Sequence, residues 1–335
     1  MLNIGVIGYG YWGPNLVRNF AEATGAQVTM VADSNPKRLD LVKKRYPAVE
    51  TLQLPYDLIN SSNVDAVVIA TPVVTHFDLA LKALQAGKHV LVEKPMASSA
   101  VQAQQLIDEA QKRNLVLMVD HTFVYTGAVR KIAELVHSGE IGDVLYYDST
   151  RVNLGLFQHD VNVIWDLAVH DLSIIEFVLN KKARAVSAAG ISHVNGQPEN
   201  IAYLTIYYDD NVIAHVNVNW LAPVKIRRTL IGGSKKMIVY DALEPSETVK
   251  VYDKGIDLSN TEDIYKTLIS YRTGDMYSPK IDGGEALLQE AQHFIDCVNN
   301  GKTPETDGAA GLRVVKILEA ATQSIKQRGG VVELS

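Results

Sequence analysis

Gly8, Gly10 and Gly13 fall in the run I-G-V-I-G-Y-G-Y-W-G-P, and Asp33 stands twenty residues beyond the last of them. A G-x-G-x-x-G turn between an apolar strand and a helix suits a dinucleotide's pyrophosphate. The first glycine permits the tight turn, the second lets the backbone approach phosphate, and the third lets helix and strand pack closely. Pro14 fits the first helical turn, whose free N–H groups and dipole favour an anion. Asp33 closes the next apolar run, 28–32, where a carboxylate meets an adenosine ribose hydroxyl. Tyr9, Tyr11 and Trp12 fill the turn, and Ser34 and Arg38 follow the acid. A second chemistry is spelled by Asp166 and His170 in W-D-L-A-V-H-D, four apart and so on one face of a predicted helix. A carboxylate beside an imidazole fixes its tautomer and stabilises its protonated form, as a general base for an alcohol requires. Taken alone, such a pair reads more plainly as a helix-start acid and a partly buried histidine. Lys94, between Glu93 and Pro95, supplies an ammonium that can offset an alkoxide; by itself it would read as a surface lysine.

The scaffold for these residues is written in alternation. Up to about Asp120, short apolar runs alternate with amphipathic stretches, as a doubly wound parallel sheet requires. Strands are predicted at 64–70, 89–92 and 116–119, one helix ends near Leu84 before Gly87, and another runs from a Ser98 cap to about Arg113. Ligands of such sheets gather at the carboxyl ends of the strands, where the glycine turn, Asp33, 71–76 and 93–95 all lie. Beyond Asp120 come a helix at 127–138, a strand at 144–152 and a helix at 165–179. Longer strands follow, 201–208 and 212–220 around Asp209-Asp210-Asn211, then 226–231 and 237–240 around Gly232-Gly233-Ser234. Val212, Ala214, Val216, Val218 and Trp220 share one face, with His215, Asn217 and Asn219 on the other. That is a half-polar antiparallel sheet, whose second face is solvated, a wall of the active site or a subunit contact. Helices at 284–299 and 308–327 close the chain. The expectation is an N-terminal dinucleotide-binding domain, 1–120, and a substrate and oligomerisation domain, 121–335.

Composition sets limits. A length of 335 residues accommodates two domains, and 47% apolar content is that of a soluble globule. The single cysteine, Cys297, excludes a disulfide framework and any multi-cysteine zinc site; with H-E-x-x-H also missing, no metal is expected. A reducing cytoplasm is the simplest home, since the chain opens on a strand without a basic leader and has no apolar run of membrane-spanning length. A net charge of −6 without a Lys/Arg run argues against a nucleic-acid surface. Cys297 reads as core, and His89, His137, His193 and His293 as structural or solvated.

With E-K-P at the end of the fifth strand, T-P-x-x-x-H after the fourth and D-x-x-x-H-D in the second domain, the whole chain resembles the glucose–fructose oxidoreductase, inositol dehydrogenase and rhizopine catabolism (Gfo/Idh/MocA) oxidoreductases. The resemblance implies a Rossmann domain followed by an α+β domain with a large, mainly antiparallel open sheet. It implies hydride transfer between NAD(P) and a sugar or polyol carbon. Lys94 then takes the place of the family's active-site lysine, Asp166 and His170 of its acid and base, and Thr71, Pro72, His76 and Glu93 fall where the family meets its cofactor. One departure is His121-Thr122-Phe123-Val124-Tyr125-Thr126-Gly127, which lacks the usual arginine and proline, so that Tyr125 is only a candidate substrate contact. Asn153, Asn162 and Trp165, further candidate substrate contacts, frame L-G-L-F-Q-H-D-V-N-V-I-W-D, which resembles the nucleotide-sugar 3-dehydrogenase branch. Lys225, Arg227 and Arg228 are candidates for a substrate diphosphate, with exposed strand cations an equal alternative. NAD is expected over NADP because Asp33 repels a 2′-phosphate, while Ser34, Lys37 and Arg38 keep NADP open. The expected activity is oxidation of a sugar CH–OH or reduction of its ketone, most readily on a nucleotide-activated sugar. Alternatives are a free sugar or inositol-type polyol, or a nucleotide-binding sensor without turnover. A homodimer or homotetramer through the C-terminal sheet is expected.

Overall fold

The computed structural model describes residues 1–155, 161–259 and 268–334, which form two compact units: 1–126 with 284–316, and 127–283 with 317–335. In the first unit β1 (Leu2–Ile7), α1 (Gly13–Glu22), β2 (Ala26–Ala32), α2 (Pro36–Arg45), β3 (Glu50–Leu52), α3 (Pro55–Ile59), β4 (Ala66–Ile69), α4 (His76–Gln85), β5 (His89–Glu93), α5 (Ala100–Arg113) and β6 (Leu117–Asp120) follow one another. The strands pair in parallel in the order β3-β2-β1-β4-β5-β6. The order reverses between β1 and β4, the switch point at which such sheets take ligands. Ile4, Val6, Val67, Val68 and Ile69 are buried, as strands covered on both faces demand. Leu16, Val17 and Phe20 form the buried stripe of α1, each worth roughly 1.5–3 kcal/mol of transfer free energy. The cap of α5 is Ser99, whose hydroxyl accepts from the Gln102 amide, not Ser98 as the sequence suggested; the helix starts one residue later.

The sequence suggested a single division near residue 120, yet the first unit also includes 284–316. The reason is contact with α1: Phe294 meets Phe20 edge to face at 6.0 Å, and Arg18 ion-pairs with Glu285.

The second unit holds α6 (Gly127–His137), β7 (Val144–Leu154), α7 (Val169–Leu179), β8 (Ala183–Ile191), β9 (Ile201–Tyr208), β10 (Ile213–Asn219), β11 (Leu221–Gly233), β12 (Met237–Asp241), β13 (Val249–Ser259) and β14 (Leu268–Tyr277). After α8 (Ala286–Asn300) and α9 (Gly308–Lys326), β15 (Val332–Glu333) returns to its edge. The sheet order is β14-β13-β12-β11-β7-β10-β9-β8-β15, antiparallel except where β10 runs parallel to β7. Asp210 and Asn211 both have φ of 58°, the left-handed pair of a tight hairpin, joining β9 to β10. The alternation holds: Val212, Ala214, Val216, Val218 and Trp220 are buried, with His215, Asn217 and Asn219 half-buried. Beneath the sheet an ion pair closes the core: Arg151 Nε donates to Asp171 Oδ2 at 2.6 Å and Ser149 Oγ to Oδ1 at 2.6 Å. The expected helix over 165–179 is broken, since Ile164–Ala168 is a π-helical turn that precedes α7.

Candidate active site

The glycine turn leaves β1 and enters α1, whose start is capped by no side chain. Gly8 has φ of +96°, and a Cβ there would lie 2.4 Å from the Ala70 carbonyl oxygen. A Cβ on Gly13 would lie 2.1 Å from Gly8 O, so these two positions close the turn upon itself. Gly10 is different: an added Cβ meets nothing nearer than Arg38 Nη1 at 3.6 Å, leaving room over the turn. Asp33, buried at the end of β2, accepts from the Tyr9 amide at 2.7 Å, the Asn35 amide at 2.8 Å and Arg38 Nη1 at 3.3 Å. A carboxylate has about four acceptor sites. Tyr9 and Arg38 share Oδ2 while Asn35 uses Oδ1, which retains capacity for a ribose hydroxyl. Glycine turn, uncapped helix start and acid thus fit a dinucleotide.

At the ends of β4 and β5 a second set is assembled. Thr71 and Thr75 hydroxyls lie 2.7 Å apart, and His76 is buried with Nδ1 2.9 Å from Pro95 O and Nε2 2.7 Å from Thr71 O. The imidazole therefore lies between the 71–76 loop and the E-K-P loop, and its neutral form donates to one of the two carbonyls. Burial pulls its pKa down, the two carbonyls oppose that, and the Lys94 charge adds to the lowering. The Lys94 amide donates to Glu93 Oε2 at 3.0 Å, and the Lys94–Pro95 peptide is cis. Glu93 and Asp120 are paired positions on neighbouring strands. Burial, then the Asp120 charge, raises Glu93 well above the usual carboxylate range. Asp120 accepts from Trp12 Nε1 at 3.0 Å and from Thr122 Oγ at 2.5 Å, which ties the glycine turn to the end of β6. His121 is buried and pushed down to about 3 by desolvation, with Lys94 contributing.

In the second unit Asp166 lies in the π-helical turn and its Oδ2 accepts from Trp220 Nε1 at 3.0 Å. His170 opens the first turn of α7, its carbonyl accepting from Ser173. Asn162 caps the π turn, its Oδ1 accepting from the Ile164 and Trp165 amides, while its amide donates to Glu199. Trp165 Nε1 donates to Thr322 at 3.0 Å. Tyr125, in the first unit, is fully buried with its hydroxyl 3.2 Å from Thr306 Oγ. These three are held by protein partners. Asn153 sits on β7; Arg227 lies opposite Arg151 across the β7–β11 pairing, half-buried, and desolvation followed by the Arg151 charge lowers its pKa. Residues 156–160 of the polar stretch lie outside the described residues. The four histidines expected to be structural or solvated have partners: His89 accepts from the Val116 amide, His137 meets Val178 O, His193 meets Asn200, and His293 accepts from the Glu305 amide. Cys297 is buried and pushed up to about 11, chiefly by desolvation. Sequence reasoning missed Asp120, His121 and Glu290. The signal for Glu290 was present, as a carboxylate on the apolar stripe with Leu287, Ala291 and Phe294. Among the described residues no helix is long and apolar enough to cross a membrane.

Sheet order, glycine turn and the buried acid at β2 define a dinucleotide-binding Rossmann protein joined to a large open-sheet unit. Residues 2–121 match the oxidoreductase family with NAD-binding Rossmann fold, and residues 133–334 the C-terminal alpha/beta domain of the same oxidoreductases. The chain belongs to the Gfo/Idh/MocA family and is an NAD-binding oxidoreductase. It is similar to scyllo-inositol 2-dehydrogenase (NAD(+)) of Bacillus subtilis, 25% identical with 97% of this chain and 93% of the relative covered. It is also similar to UDP-N-acetylglucosamine 3-dehydrogenase of Acidithiobacillus ferrooxidans, 27% identical with 94% of each covered. A solved structure of the latter enzyme superposes with a TM-score of 0.80 at 25% identity, over 97% of this chain and 98% of that one.

Proposed function

We propose that the protein interconverts a secondary alcohol and a ketone on a sugar or polyol, with nucleotide-activated sugars as its first substrate class. The observation that supports this reading is the E-K-P strand end: the Lys94 amide donates to Glu93 Oε2, and His76 lies between that loop and the end of β4. Bound NAD supplies the hydride acceptor. His170 takes the hydroxyl proton, and Asp166, itself positioned by the Trp220 indole, orients and stabilises the imidazolium. The Lys94 ammonium offsets the charge growing on oxygen, a preorganised contribution of about 3 kcal/mol, or roughly a hundredfold in rate. In ketone reduction the same groups act in reverse: His170 gives the proton and Lys94 polarises the carbonyl.

The nucleotide-sugar form is favoured by Arg227, a half-buried guanidinium beside Arg151, which suits a substrate diphosphate. Asn153 is the accompanying substrate candidate. A free polyol is the second reading, supported by the inositol dehydrogenase relative. We infer a cytoplasmic homo-oligomer joined through the second unit's sheet, whose open side carries exposed Tyr203, Tyr207 and Ile213; light scattering tests the assembly.

The deciding experiment follows nicotinamide absorbance with purified protein, NAD or NADP, and a panel of nucleotide sugars, free sugars and inositols. Turnover is expected with NAD and a nucleotide sugar, and Lys94→Met and His170→Ala each lower kcat by about a hundredfold or more. Turnover only on free polyols selects the second reading. Variants with near-normal turnover would overturn the assigned roles, and binding of NAD without turnover on any substrate would favour the sensor.

A further inference from the structure

Glu290 projects from α8 into the interior of the first unit and is completely buried. Neither of its carboxyl oxygens receives a hydrogen bond from a described donor. The side chains that face it are Asp120 at the end of β6 and Thr122 just after it, with Glu93 at the end of β5 beyond them. Thr122 has one hydroxyl hydrogen, and it goes to Asp120 Oδ1 at 2.5 Å. The Thr122 hydroxyl, the one neutral donor facing Glu290, cannot serve both acids at once, and among the described residues no cation pairs with Glu290, so an ionised Glu290 would face a second carboxylate with its acceptors left open. Such a group sheds its charge by taking up a proton. Protonated, it becomes a donor, and Asp120 is the acceptor it faces.

We propose that Glu290 is a positioning residue of the nucleotide site, held as the neutral acid, whose proton bridges to Asp120 and so fixes the carboxylate that anchors Trp12 in the glycine turn. Asp120 then gathers the Trp12 indole, the Thr122 hydroxyl and the Glu290 acid, with Glu93 facing it from the neighbouring strand. Burial first, and then the Asp120 charge, raises Glu290 well above the usual carboxylate range, in the direction the geometry demands. Glu93, raised for the same reasons, leaves Asp120 as the cluster's one negative charge beside Lys94. Three ionised carboxylates there would outweigh the ammonium and repel an anionic dinucleotide; a single one is balanced by Lys94 and leaves no net negative charge.

The inference rests on NAD binding and on neither the substrate nor the roles of Lys94 and His170, so its test omits substrate. Infrared spectra of the full-length protein at neutral pH are expected to contain the carbonyl band of a buried carboxylic acid, with a distinct component that disappears in Glu290→Gln. The amide keeps a donor toward Asp120, so Glu290→Gln is expected to bind NAD within a few-fold of the parent by tryptophan fluorescence. Glu290→Leu, which removes the donor, is expected to bind about tenfold or more weakly, the loss of a hydrogen bond to a charged acceptor. An acid band unchanged in Glu290→Gln would overturn the proposal. So would a Glu290→Gln that binds as poorly as Glu290→Leu, or a Glu290→Leu that binds as well as the parent. If the leucine variant fails to fold, the infrared comparison of Glu290→Gln still decides.

Discussion

Gly10→Ala separates a glycine needed by the ligand from one needed by the fold. At Gly10 an added Cβ meets only Arg38, at 3.6 Å and beyond, which is ordinary contact, and the backbone has no positive φ. The free protein should accept the methyl and gain roughly 0.4–1 kcal/mol from a stiffer unfolded chain. Bound dinucleotide should not accept it, because the methyl occupies the approach of phosphate to the turn. Losing one charge-assisted hydrogen bond costs about 1.5–3 kcal/mol, or roughly 10–150-fold in Kd. Gly8→Ala should do the opposite. Its φ of +96° costs a Cβ about 1–2 kcal/mol, and the 2.4 Å approach to Ala70 O adds overpacking of about 1–3 kcal/mol. At about 2–4 °C per kcal/mol for a unit of this size, that is a fall in Tm of roughly 5–20 °C. Thermal melts without ligand and fluorescence titration with NAD measure both quantities on the same preparations. The reasoning fails if Gly10→Ala binds NAD as tightly as the parent, or if Gly8→Ala melts where the parent does.

Three other outcomes follow from particular contacts. Asp33→Asn should weaken NAD binding by about tenfold and narrow its advantage over NADP, since the repulsion of a 2′-phosphate is gone and Arg38 loses its partner; Kd values for both cofactors check this. Arg151→Met strands the buried Asp171 carboxylate and should cost about 3–5 kcal/mol in denaturant unfolding, whereas a double change with Asp171→Leu should recover most of it. His121 is neutral in the fold, with its pKa at about 3 against the ordinary 6.5. The unfolded chain therefore binds its proton first, and this contribution to stability is present above about 6.5 and lost as pH falls toward 3. Denaturation midpoints across that range should show a shallower acid decline in His121→Phe.

Much of the first unit was legible because its signals are local. Strand, glycine turn, helix and acid occupy thirty consecutive positions, and each residue type there answers to a backbone constraint. The half-polar alternation of β10 was equally plain, since period two in Val212 to Trp220 admits one register. Less legible were features made by partners distant in sequence. The π-helical turn at Ile164–Ala168 breaks a pattern that reads as one helix, and Asn162 and Trp220 fix it from either side of the chain. The buried pair of Arg151 and Asp171 joins a strand to a helix twenty residues on, and neither residue advertises burial. Asn162, Trp165 and Tyr125 were read as substrate candidates from their types and places alone; the protein partner each has in the fold, Glu199, Thr322 and Thr306, lies far along the chain and was not legible. His76 was read from its place after β4, while its approach to two backbone carbonyls, Pro95 O and Thr71 O, is a feature only the fold discloses.

The distribution of indoles has a practical consequence. Trp12 belongs to the first compact unit, whereas Trp165 and Trp220 belong to the second. Emission from a double Trp165→Phe, Trp220→Phe variant would come solely from the nucleotide turn, and a Trp12→Phe protein would emit only from the open-sheet unit. One instrument and two variants would then reveal whether the halves melt together or in sequence, and which of them a bound dinucleotide protects.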